Sequence, residues 1–312
     1  MTLFWTGLVA CLLIAQVLLV LHTAWTARRI RRGLPAPGRF VEIEGARIHL
    51  AEAGEGPPLL LIHGLNGSHG NFTYALFERL KPSFRLIAPD RPGCAYSDAP
   101  KRWGATLSEQ AASMAALIAK LELQTPLTVV GHSLGGAVAL QLAVDRPDLV
   151  SRLVLVAPLV RQPGRVAPVF YKLGIRPLAL RVWFAWTLNV VHAIASRKAT
   201  LQALFGPDEA PADFAIRGRS LISLLPRAYL AACRDALALD KALPDLTARL
   251  AEVRCPVSLI YGEGDRILDA TSQSEALRAA LPGLDDHMVS GGHMIPLTAP
   301  DAVAKVILAR PS

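Results

Sequence analysis

The stretch Leu127–Ala143, LTVVGHSLGGAVALQLA, constrains the fold more than any other part of the chain. A short apolar run, Leu127 to Val130, meets an alanine- and leucine-rich segment of helical spacing, and only Gly131-His132-Ser133-Leu134-Gly135 lies at the join. A strand can pass into a helix over so few residues only through a sharp, strained turn. Neighbours without a Cβ must also let helix and strand close on each other. The serine at the apex of G-x-S-x-G then stands with its hydroxyl exposed, as a nucleophile requires.

A serine hydroxyl needs a base to take its proton, an acid to orient that base, and donors for the developing oxyanion. Downstream, PVSLIYGEGDRILD (Pro256 to Asp269) reads as a strand followed by a loop carrying Asp265. VSGGHMIPLTAP (Val289 to Pro300) reads as a strand end, a Gly-Gly turn and His293. The order Ser133, Asp265, His293, each just past a strand, suits this kind of elbow. Glu263, Asp269 and Asp240 are rival acids. Upstream, LLLIHGLNGSHGNF (Leu59 to Phe72) puts His63-Gly64 after another apolar strand, where the backbone N–H of Leu65 can pair with that of Leu134 around an oxyanion. His63 and His132 are expected to be structural, Asn66 a turn former, His192 a packed or interfacial residue, and Cys94 a small buried filler.

Eight β-like runs can be read along the chain: Val41–Ile43, Arg47–Ala53, Leu59–Ile62, Leu86–Ala88, Leu127–Val130, Leu153–Val156, Val257–Tyr261 and Met288-Val289. From the third onward they alternate with helical patterns, the signature of a mostly parallel sheet covered on both faces. The alternation breaks between about Val160 and Arg249, where the chain is helix-like throughout and punctuated by prolines. A helical insertion after a strand end sits over the ligand-binding edge.

With these motifs, and the turn APDRPGCAYSD (Ala88 to Asp98) after a further strand, the sequence from about residue 40 to 310 resembles a lid-bearing α/β-hydrolase of the serine esterase and lipase branch. The resemblance implies Ser133 as nucleophile, His293 as general base, Asp265 as its orienter, and the Leu65 and Leu134 amides as the oxyanion hole. One position departs from the family's turn, D-x-x-G-x-G-x-S: its second glycine is Ala95 here. The fold expected is an α/β one, with a mostly parallel eight-stranded sheet, helices on both faces, a helical lid insertion and an N-terminal transmembrane helix.

That last element rests on Leu3–Leu21, an uncharged run with Gln16 as its one strongly polar member. As a helix it reaches about 28 Å, close to the hydrocarbon core of a bilayer. His22, Trp25 and four arginines (Arg28, Arg29, Arg31, Arg32) follow, an aromatic and cationic border. The lack of a basic segment before the run argues against a cleaved signal peptide, and the lack of a polar face argues against a soluble helix. The expected organisation is a membrane anchor over 1–27, a basic juxtamembrane linker over 28–40, a core over 41–160 and 246–312, and a lid over 161–245. The arginines favour a cytoplasmic catalytic domain. A second apolar stretch, Pro177 to Ala195, is interrupted by Arg181 and Asn189 and is read as a helix packed between lid and core or lining an apolar pocket, not as a second span.

Composition closes off other classes. Hydrophobic residues at 52% and charged residues at 19% exclude a disordered chain. The net charge of +8 comes with only 6% aromatics, which gives little support to a stacking groove for nucleic acid. Cys11, Cys94, Cys233 and Cys255 lie far apart without a CxxC pair, so neither a disulfide framework nor a zinc site is expected.

By the same resemblance, dehalogenases and epoxide hydrolases of this fold use an aspartate nucleophile, whereas serine suits acyl transfer. The expected reaction is hydrolysis of carboxylic esters through an acyl-serine, with no cofactor and no metal. Apolar acyl or monoacylglycerol-like esters are the expected substrates, with Phe184, Trp186, Leu188 and Val191 contributing to the lid. The alternatives are a cofactor-free haloperoxidase-like or C–C bond hydrolase, and a non-catalytic membrane-tethered binding protein.

Overall fold

All eight apolar runs form strands of one sheet in the computed structural model, which describes residues 1–309. They are β1 (Arg39–Ile43), β2 (Ala46–Ala53), β3 (Pro58–Ile62), β4 (Arg85–Pro89), β5 (Leu127–His132), β6 (Val150–Val156), β7 (Val257–Gly262) and β8 (Asp285–Val289). The sheet order is β1-β2-β4-β3-β5-β6-β7-β8. The β1–β2 and β2–β4 pairs are antiparallel and the remaining pairs parallel.

Twelve α-helices are described around the sheet. Before β6 come α1 (Thr2–Gly33), α2 (Gly70–Thr73), α3 (Leu76–Leu80), α4 (Leu107–Lys120) and α5 (Leu134–Asp145). Between β6 and β7 lie α6 (Leu178–Thr187), α7 (Asn189–Ala195), α8 (Arg197–Phe205) and α9 (Pro226–Ala248). The last three are α10 (Ala270–Ala280), α11 (Ile295–Thr298) and α12 (Pro300–Leu308).

Because strand side chains alternate, the parallel strands are apolar on both faces and feed two cores. Leu60, Val129, Leu155 and Leu259 pack with α4 and α5. Leu61, Val130, Val154 and Ile260 pack with α3 and α12 on the other face. Helix α4 starts on a capping box, in which Thr106 Oγ1 accepts from the Glu109 N–H (3.2 Å) and Glu109 accepts from the Thr106 N–H (2.9 Å). Thr106→Ala is expected to lower the unfolding free energy in urea by about 1 kcal/mol. An unchanged midpoint would contradict that assignment.

Two features differ from expectation. Helix α1 does not stop near residue 27 but carries Arg28, Arg29, Arg31 and Arg32 on its last turns. Arginine is a good helix former, and the helix ends only where Leu34 precedes Pro35, a position that disfavours helical backbone. The span Phe4–Gly33 is long and apolar enough to cross a membrane. Its C-terminal part is covered: Ala27, Ile30 and Leu34 pack with Ala95, Ile222, Leu225 and Ala228.

The second difference concerns Pro177–Ala195, which is neither one straight helix nor wholly buried. Helices α6 and α7 meet at a bend of 61°. Asn189 at the break donates through Nδ2 to the Leu224 carbonyl (3.2 Å). Phe184 is half-buried against Tyr229, whereas Trp186 and Val191 face outward. The polar joint thus splits one apolar stretch into two helices, each keeping an exposed side.

Candidate active site

Ser133, Asp265, His293 and the His63-Gly64 loop leave the carboxyl ends of β5, β7, β8 and β3. These strands run parallel, so four segments far apart in sequence reach the same edge, where ligands bind in open α/β sheets. Ser133 takes φ +54 and ψ −122 as the residue preceding α5. Its N–H donates to the Val156 carbonyl (3.0 Å) and its own carbonyl accepts from Gly136 (2.8 Å) and Leu159 (2.9 Å). Several main-chain bonds therefore hold an unfavourable turn.

The turn closes only because of its glycines. A Cβ on Gly135 would overlap the Ile62 carbonyl of the adjacent strand. Gly135→Ala is expected to destabilise the fold by about 1–3 kcal/mol through that overlap. A urea midpoint equal to the parent's would show that the strand yields freely. On the other side, a Cβ on Gly64 would stand 2.9 Å from Ser133 Cβ, so this loop passes directly over the serine. Leu65 follows Gly64 and Leu134 follows Ser133. Among the described residues, neither of their backbone N–H groups has a backbone acceptor.

The imidazole of His293 bonds through Nδ1 to Asp265 Oδ2 (2.7 Å), with both side chains buried. Asp265 Oδ1 accepts from the N–H groups of Ile267 (2.8 Å) and Leu268 (3.0 Å). Burial alone would push the Asp265 pKa up; the His293 charge, its hydrogen bond and the two amides outweigh it and hold the carboxyl below the usual range. An ionised Asp265 fixes the proton on Nδ1 and leaves Nε2 as the basic nitrogen. The rival acids are occupied or turned away: Asp269 caps α10, Asp240 pairs with Arg176 (2.8 Å), and Glu263 is exposed. Among the described residues the Ser133 hydroxyl has no hydrogen-bond partner, so of the expected Ser–His–Asp links only the Asp265–His293 one is closed. Such links commonly tighten only with substrate present.

His132 ties the histidine loop to the elbow. Its Nε2 donates to the His293 carbonyl (3.1 Å) and its Nδ1 accepts from Asn71 Nδ2 (3.3 Å). Burial, with the His293 charge adding, pulls its pKa down to about 3. His63 is equally enclosed: Nδ1 donates to the Gly64 carbonyl (2.9 Å) and Nε2 accepts from the Arg91 N–H (2.9 Å). Burial and the Arg91 charge lower it to about 3 as well.

Three residues that the sequence reading passed over complete the site's support. Arg91 is fully buried, and its guanidinium donates to the carbonyls of His63 and Gly64 (both 2.9 Å) and to Gln110, and pairs with Asp235 of α9 (2.9 Å). In a trans peptide, N–H and C=O point oppositely, so holding the Gly64 carbonyl aims the Leu65 N–H the other way. Burial opposes the Arg91 charge, yet the Asp235 carboxylate and other neighbours outweigh it and push the guanidinium pKa up. Asp90 accepts from the His69 N–H (2.7 Å), His69 Nδ1 (3.0 Å), His49 Nδ1 (2.9 Å) and the Tyr96 N–H (3.2 Å). His49, His69 and Asp90 offer metal-ligand atoms within 4.8 Å of one another, but the carboxylate is already filled by these four donors. The only sequence signal for this hub was the D-R-x-G turn. There Ala95, where the resemblance puts glycine, bears φ +42.

Comparison with known proteins agrees with this architecture. The sequence profile of the alpha/beta hydrolase fold matches residues 57–300. The magnesium-chelatase 30 kDa subunit of Rhodobacter capsulatus is 32% identical over 265 residues, covering 81% of this chain and 86% of that protein. The pimeloyl-[acyl-carrier protein] methyl ester esterase of Vibrio vulnificus is 28% identical over 267 residues, covering 84% and 96%. Among solved structures, a membrane phospholipase A described as a bacterial virulence factor superposes with a TM-score of 0.71 at 24% identity, covering 99% of this chain and all of that one. The chain is a member of the alpha/beta hydrolase fold family.

Proposed function

We propose that the protein is a membrane-anchored serine hydrolase that cleaves carboxylic esters with apolar acyl groups. The observation that carries this reading is the buried Asp265–His293 pair at the same sheet edge as Ser133, which stands on a strained elbow beneath a glycine loop. In the proposed reaction His293 Nε2 takes the Ser133 proton as Oγ attacks the ester carbonyl, and the Leu65 and Leu134 N–H groups receive the oxyanion. The alcohol leaves with the proton from His293, and water, deprotonated by the same nitrogen, releases the acid. Support for an amphiphilic ester comes from α1, proposed as the anchor, and from the relatives named as a methyl ester esterase and a membrane phospholipase. Arg28, Arg29, Arg31 and Arg32 favour a cytoplasmic catalytic domain.

A fluorophosphonate probe tests the reading. It labels Ser133 in the parent, and His293→Ala abolishes the labelling. A second reading, a non-catalytic subunit, draws on the relative named as part of a chelatase. Absence of labelling in the folded, full-length chain would favour it and overturn the first.

A further inference from the structure

Helix α6 is apolar on two sides. Inward, Phe184 and Ala185 pack with Tyr229 and Cys233 of α9 in a cluster that includes Leu65 of the loop over Ser133. Outward, Leu178 (63% exposed), Val182 (39%), Trp183 (43%) and Trp186 (39%) lie open, and α7 continues with Ile194 (62%). On a helical wheel Leu178, Ala179, Val182, Trp183 and Trp186 fall within an arc of about 140° that holds no charge. A helix on a water-facing surface carries its polar residues on that side; here the pattern is reversed.

The neighbour of α6 identifies what covers this side. Helix α1 packs against α6. Its half-covered residues Gln16, Leu19 and Val20 and its fully buried Thr23 recur at helical spacing, ahead of the set Ala27, Ile30 and Leu34 that meets other parts of the insertion. Gln16, Leu19 and Val20 belong to the uncharged run that constitutes the span. A helix packed beside the final apolar turns of a membrane span sits at the depth where acyl chains meet headgroups. Trp25 of α1 is exposed with the Arg29 guanidinium 4.8 Å over its ring, and Arg197 and Lys198 follow α7 as exposed cations. Tryptophans bordered by cations are the residue pattern of that depth.

We propose that the outer side of α6 and α7 is a second, interfacial membrane contact, whose partner is the anionic bilayer that α1 crosses. Only the thickness of α6, about 10 Å, then separates the acyl chains from the loop above Ser133, and the ester enters from the membrane. This rests on the reading of α1 as a span.

The full-length chain, reconstituted into phosphatidylcholine–phosphatidylglycerol vesicles with lipids brominated near the top of the acyl chains, provides the test. The emission lost in Trp183→Phe/Trp186→Phe, taken as a difference spectrum, is expected to be quenched by at least a third; smaller quenching overturns the proposal. Leu178→Asp/Val182→Asp is expected to lower turnover of a vesicle-embedded long-chain ester at least tenfold and to leave soluble p-nitrophenyl butyrate within twofold. Unchanged turnover in vesicles, or an equal loss on both substrates, overturns the membrane route. Failure of the underlying reading looks different: a parent that does not float with vesicles has no anchor, and one that does not cleave the soluble ester is no esterase, whatever the quenching.

Discussion

Alanine at position 133 is expected to lower kcat on p-nitrophenyl butyrate by about 10⁴- to 10⁶-fold while leaving the fold intact. The elbow holds φ +54 through the Val156, Gly136 and Leu159 main-chain bonds, none of which involves the hydroxyl. Alanine tolerates that φ no worse than serine does, so the substitution deletes Oγ and little else. The residual rate expected is that of the proposed oxyanion donors and substrate binding, which would still favour attack by water. His293→Ala should fall by a similar factor, and the double variant hardly further, because the relay acts as a unit. Turnover by Ser133→Ala within tenfold of the parent, with an unaltered circular dichroism spectrum, would remove Ser133 from the chemistry.

Acid should unfold this protein earlier than its carboxylates alone would dictate. His63 and His132 are held neutral in the folded state down to about pH 3, against an ordinary value of 6.5. Between these values the unfolded chain binds two protons that the folded chain refuses, so stability rises with pH through the window and is lost as pH falls below about 6.5. Each group contributes about 1.4 kcal/mol per pH unit, so the pair removes about 3 kcal/mol for each unit below about pH 6. Asp265 and Asp90 act lower down. Burial pushes each carboxyl up, but their histidine partners hold both below the usual range, so their contribution disappears only as pH falls beneath about 4. Urea midpoints measured from pH 7 to pH 5 check this, and a flat profile would refute it.

What could be read from the chain depended on how far its partners lie in sequence. The elbow was legible because strand, turn and helix follow one another, so the glycines at 131 and 135 declare the close approach that Ser133 requires. Asp265 and His293 were legible because each follows an apolar strand, and parallel strands deliver their ends to one edge. Arg91 also follows a strand, β4, but nothing in the chain announced what it would hold. Its partners at 63, 64, 110 and 235 are assembled only by folding, as are those of Asp90 at 49, 69 and 96. The continuation of α1 through its arginines was concealed by charge, although arginine propagates a helix well. The outward tryptophans of α6 were concealed by their apolarity, which reads equally as core or as membrane contact.

The Arg91–Asp235 pair latches the helical insertion to the floor of the site. Separating the two would strand a guanidinium away from water, a penalty of about 3–5 kcal/mol, so α9 does not swing freely. At the α6–α7 corner the buried Asn189 amide adds a hydrogen bond to the Leu224 carbonyl at 3.2 Å. The insertion is therefore fixed most firmly where α9 meets the floor of the site, and any rearrangement of its outer helices has to leave that buried ion pair in place.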